Sequence, residues 1–206
     1  FLEGVRGLLL SPGRGALLYC PALLAAYALG PRLWRRSREV GLVALASLPL
    51  LVALYARWWL WEGGWCWGPR FLLPALPLAL LALAEHFEGG GRMLARRAVD
   101  LLLVASLVTA LSSLLVNYAD FHVWMKRYVE SHPEVLASHH RADYYGVLRW
   151  DWDFSPLLRY WSFPRRNYLL VASALAKPGL VLVLLLASLA AAIGGALGLT
   201  KTHRAR

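Results

Sequence analysis

The chain has 206 residues, of which 59% are hydrophobic and 17% charged, and a formal net charge of +10. Soluble globular chains carry about 25% charged residues, so an ordinary soluble domain is excluded, and ten Trp, nine Tyr and six Phe exclude disorder. What remains is an all-α polytopic membrane protein; its basic residues lie mostly between apolar runs, which points to a membrane surface and not to nucleic acid.

In chain order, the sequence opens at Phe1 without the charged region, short apolar core and small-residue cleavage site of a secretory leader. The expectation is a fragment of a longer protein. A bilayer core takes about 20 mostly apolar residues per helix. Five segments fit that length or approach it: 15–30, 40–60, 71–86, 98–118 and 179–200. Pro21, Pro49, Pro74 and Pro77 fall within them and predict kinks, which neighbouring helices tolerate in membranes. The organisation expected is four spans over 1–118 with a short outer loop at 61–70, an outer cap over 119–167, and a last span with a basic tail over 168–206. The cap reads as folded, helical or irregular, because its charges are mixed and its aromatics many. Cys20 lies in an apolar run and Cys66 in a polar loop, and two cysteines make no disulfide framework.

Charge sets the orientation. Arg32, Arg35, Arg36 and Arg38 follow the first span, Arg92, Arg96 and Arg97 follow the third, and KTHRAR follows the fifth. With five spans all three clusters share one side, which the positive-inside rule makes cytoplasmic. The N-terminal stretch, the 61–70 loop and the 119–167 loop then lie outside, periplasmic or extracellular.

The densest chemical signal is WWLWEGGWCWGPRFLLPALP, residues 58–77. Glu62 and Arg70 flank Gly63-Gly64, and Arg70 stands near a helix start, where backbone N–H groups favour anions. A guanidinium there can grip a phosphate with paired hydrogen bonds. Arg14, in SPGRG (11–15) at the start of the first span, is a second candidate of the same kind. Glu62, Trp61 and Trp65 are candidates for positioning a substrate. The plainer reading of the Trp cluster is interfacial anchoring. Asp151 and Asp153 share a spacing that suits a divalent metal on an extended strand, but Ser155-Pro156 follows and favours a solvated turn. His122, His132, His139 and His140 show no helical metal-ligand spacing. No metal and no cofactor are expected. Phosphate-loop and dinucleotide fingerprints are absent from the sequence, and acids within spans are nearly so, which argues against a proton-coupled transporter.

LLLSPGRGALLYCPALL, the 58–77 segment and DFSPLLRYW in the late outer loop together resemble bacterial polytopic glycosyltransferases of the GT-C superfold, similar to protein O-mannosyltransferases and the lipid A aminoarabinose transferase. The resemblance implies transfer of a sugar from a polyprenyl-phosphate donor to an acceptor on the outer face of the bacterial cytoplasmic membrane. It implies a phosphate-gripping role for Arg70 and Arg14 and a positioning role for Glu62. It also implies a catalytic acid in an early outer loop that these residues do not include, and Asp151 and Asp153 do not inherit that role. Two other readings stand beside it. One is a transporter or flippase of a lipid-linked molecule. The other is a non-catalytic assembly subunit, for which the small residues at 190–195 of the fifth span would suit helix contact.

Overall fold

The computed structural model describes residues 1–64, 66–88, 93–113, 117–137 and 144–159. The regular structure among them is entirely helical. The fifth span, the basic tail, Trp65, His139 and His140 lie outside the described residues.

The N-terminal stretch forms helix α1, Leu2–Leu10. It was expected only as an outer segment, from the charge pattern of the loops. Gly4 and Gly7 are buried: a Cβ on Gly4 would stand 2.4 Å from the Ala56 carbonyl oxygen, and one on Gly7 would enter the Trp61 ring. They let α1 lie close to the chain that follows α4, Arg38–Tyr55.

The first predicted span is broken. It comprises α2, Ala16–Tyr19, and α3, Ala22–Arg36. Pro21 lacks an N–H and disfavours helical backbone at Cys20, which adopts φ −139° and ψ 72°. The break leaves backbone groups in need of partners, and helix α7, Met93–Ser112, supplies them. Ser106 Oγ accepts from the Ala22 N–H at 2.8 Å, and Thr109 Oγ1 donates to the Tyr19 carbonyl at 2.8 Å. Beyond the break α3 continues through Pro31. Arg32, Arg35 and Arg36 therefore stand on helix, not in the loop expected for them, and Ser37 alone separates α3 from α4.

α3 is the central helix. Ala22, Ala25, Ala26, Leu29 and Leu33 recur at helical spacing and pack with Ala44 of α4 and with Ala82 and Leu83. The 40–60 span is observed as α4, which runs on through Pro49 and gives way to turns before Trp58. The third span is segmented around Pro74 and Pro77. It consists of a 3₁₀ turn at Arg70–Leu72, α5 at Leu76–Leu80, a second 3₁₀ turn at Leu81–Leu83 and α6 at Ala84–Phe87. α4 is the one helix among the described residues long and apolar enough to cross a bilayer. At 18 residues it rises about 27 Å. α7 is longer but carries Arg96, Arg97 and Asp100. Both turn large apolar side chains outward: Leu50 is 67% exposed and Leu101 70%.

The cap comprises α8, Tyr118–Ser131, α9, Pro133–Ala137, α10, Tyr144–Trp150, and α11, Pro156–Arg159. Asn117 caps α8 by accepting from the Ala119 N–H at 3.0 Å. Phe121, Met125 and Val129 recur every fourth residue of α8 and meet Val147, Leu148 and Phe154 in a core of the cap's own. Burying side chains of this size is worth about 1.5–3 kcal/mol each.

Candidate functional site

The cap helices meet the N-terminal helices at the SPGRG turn. The N–H groups of Arg14 and Gly15 both donate to the Ser11 carbonyl, at 3.1 and 2.6 Å. That tight turn aims the Ser11 hydroxyl at the cap, where it donates to the Arg149 carbonyl at 2.5 Å. In return the Ser155 hydroxyl donates to the Pro12 carbonyl at 2.6 Å. Gly13 lies flat against α10, since a Cβ there would come within 2.2 Å of the Leu148 carbonyl oxygen.

Arg14 projects from the same turn toward the 61–70 loop and is 1% exposed. It donates to the carbonyls of Gly64, at 2.6 Å, and Cys66, and its guanidinium lies 5.0 Å from the centre of the Tyr118 ring. Burial works against its charge, yet the neighbouring Tyr118, Cys66 and Tyr19 outweigh that, and its pKa stands above the ordinary arginine value. Gly63 and Gly64 have φ of 78° and 73°, a conformation nearly closed to other residues, and the Gly64 carbonyl that Arg14 grips is presented from it. Arg14 thus ties the loop to the turn and leaves no open surface for a ligand. Arg70 is exposed, its guanidinium 5.4 Å over the Phe71 ring. Phe71 in turn stacks on Tyr55 and Trp58, at 4.5 and 5.2 Å, and those two rings stack on each other at 6.3 Å. Arg14 and Arg70 therefore flank one loop in opposite states, the first enclosed and the second open.

Glu62 is 2% exposed, and its carboxylate accepts from the Arg149 guanidinium of the cap. Arg149 also lies 5.4 Å over Trp61 and 5.7 Å from the Tyr145 ring. Trp61 is buried beneath it, against Gly7.

Two cavities adjoin this junction. A polar pocket of about 240 Å³ is lined by Glu3, Arg57, Trp58, Trp59, Trp61 and Arg149. An apolar groove of about 600 Å³ runs between α1, α3 and α4, walled by Val5, Leu24, Tyr27, Leu48 and Val52. Phe1 lines both.

The Asp153 N–H donates to Asp151 Oδ1 at 2.8 Å, which closes a turn ahead of α11. Among the described residues no cluster of His, Cys, Asp and Glu is arranged to hold a metal ion. His122 is buried in the cap core with its Nδ1 on the Tyr144 hydroxyl. Burial, reinforced by the Arg14 charge, pushes its pKa down to about 3, and burial pushes the Tyr144 hydroxyl up.

Of the candidates read from sequence, Glu62 and Trp61 stand at the pocket's edge or wall, and Arg14 and Arg70 border the adjacent loop. Arg57, Arg149, Ser11 and Ser155 carry the site without having been singled out. The available signal was a cation directly after an apolar run and before Trp58-Trp59, and another inside the aromatic run of the late loop. Comparison of the chain with protein-family models, with curated proteins and with solved structures found no match.

Proposed function

We propose that the chain is the membrane-embedded part of a glycosyltransferase that takes its sugar from a polyprenyl-phosphate donor on the outer face of a bacterial membrane. One observation carries this reading: an apolar groove of about 600 Å³ and a polar pocket of about 240 Å³ share Phe1 in their walls. A molecule with an apolar chain and a charged, hydroxylated head fills both. The exposed apolar faces of α4 and α7 suit a bilayer. Arg32, Arg35, Arg36 and Arg38 gather where α3 meets α4, and Trp58, Trp59 and Trp61 follow the other end of α4. That separation agrees with a cytoplasmic basic end and an outer Trp-rich end.

The test is photo-crosslinking. A prenyl phosphate bearing a diazirine on its chain, added to the membrane-reconstituted protein, labels α1 and α4. Leu48→Trp, which fills the groove, removes that label. Labelling elsewhere, or labelling indifferent to Leu48→Trp, rejects the reading. Broken helices like that formed by α2 and α3 also occur in secondary transporters, where they build the substrate site. Movement of the labelled lipid between leaflets without loss of its sugar would favour that function over transfer.

A further inference from the structure

The polar pocket draws its two cations from distant parts of the chain. Arg57 follows α4 and is exposed, its guanidinium 5.7 Å over the Phe1 ring. Arg149 arrives from cap helix α10, with a side chain 12% exposed and held by Glu62. Neither Glu62 Oε2 nor Arg149 Nε has a hydrogen-bond partner among the described residues. A buried ion pair left partly unsatisfied is a poor stabiliser compared with apolar side chains of the same size. Its position explains it better: the pair holds a guanidinium at the wall of a cavity that shares Phe1 with an apolar groove.

We infer that Arg57 and Arg149 form an anion site for the phosphate of an amphiphile whose chain lies in the groove, an inference that rests on the lipid-carrier reading above. Guanidinium groups suit phosphate oxygens because their N–H groups form a planar fork. Glu62 is a positioning residue that fixes the orientation of Arg149. Trp58, Trp59 and Glu3 line the remaining wall, where a ring face and a carboxylate meet the non-anionic part of a head group. The phosphate site lies at Arg57 and Arg149, not at Arg14, whose side chain is enclosed, nor at Arg70, which does not line the pocket.

The test is a titration of the purified full chain in detergent micelles, read by Trp fluorescence. The probes are farnesyl monophosphate, farnesol and inorganic phosphate. Farnesyl monophosphate is expected to bind at least about ten-fold tighter than either of the others, the scale of one charge-assisted hydrogen bond. Arg57→Gln removes most of that margin. The double variant Glu62→Gln with Arg149→Gln does the same, without stranding a buried charge. Arg70→Gln keeps it. Equal binding of farnesol and farnesyl monophosphate overturns the anion site while the groove reading stands. Binding of neither overturns both. Inorganic phosphate bound as tightly as farnesyl monophosphate overturns the amphiphile in favour of a free phosphate. Loss of binding in Arg70→Gln alone overturns the assignment to Arg57 and Arg149.

Discussion

Gly13→Ala is the sharpest perturbation of the cap junction. The added methyl carbon would sit 2.2 Å from the Leu148 carbonyl oxygen, 3.2 Å from its carbon and 3.4 Å from Arg149 Cα. All three are backbone atoms, so no rotamer change relieves the clash. Either the SPGRG turn or α10 must move by about an ångström or more. Overpacking of this kind costs about 1–3 kcal/mol. The same shift stretches the Ser11–Arg149 and Ser155–Pro12 hydrogen bonds, at 2.5 and 2.6 Å, each worth about 0.5–1.5 kcal/mol. The expected loss is about 2–6 kcal/mol, concentrated at the junction. Hydrogen exchange resolves where it falls. Amides of α10 should exchange faster by about 30-fold or more, with those of α3 unchanged. Gly64→Ala is the control. Its Cβ would meet nothing within 4 Å, so it adds backbone strain from a positive φ without touching the cap. If Gly13→Ala leaves α10 as protected as in the parent chain, the close approach does not hold the cap, and the reasoning fails.

Further outcomes follow from other contacts. Glu62→Ala strands the Arg149 charge in a buried site and should lower stability by about 3–5 kcal/mol, whereas Glu62→Leu with Arg149→Met should recover most of it; thermal unfolding of the three proteins decides, and a single variant as stable as the double one contradicts the pair's burial. Ser106→Ala removes the acceptor of the Ala22 N–H and should cost about 1–3 kcal/mol, visible as faster exchange of that one amide. His122 is held neutral in the fold down to about pH 3, while in the unfolded chain it takes up a proton below about 6.5. The unfolded state therefore binds the extra proton between those values, and stability falls as pH drops through that window. His122→Gln should flatten the dependence, by up to about 1.4 kcal/mol per pH unit; parallel stability curves for the two proteins would show that His122 does not contribute.

The helical class was plain in the sequence, because apolar runs of this length have few other uses. The run that became α4 was legible nearly to its ends. The first span was not, for two reasons. Pro21 signals a break, but whether a helix ends or resumes there depends on partners such as Ser106 and Thr109, some 84 to 90 positions away. Pro31 reads as a stop, yet tertiary packing carries α3 through it. Glu62 stood out beside its glycines, whereas its partner did not, since nothing local links it to a residue 87 positions later. Arg14 was conspicuous for a physical reason that had two solutions. A guanidinium at a turn satisfies phosphate oxygens and backbone carbonyls alike, and here the carbonyls of Gly64 and Cys66 occupy it.

The Ser11–Arg149 and Pro12–Ser155 bonds join positions 138 and 143 residues apart. On a ribosome the SPGRG turn is made long before its cap partners. The Arg14–Gly64 link, closing only 50 residues, can form well before them, and loop-closure entropy favours that order. The groove between α1, α3 and α4 is then complete in a nascent chain that still lacks Arg149. During synthesis such an intermediate carries the apolar groove before Arg149 completes the neighbouring pocket, and a truncation after Ser112 would preserve it in that half-built state.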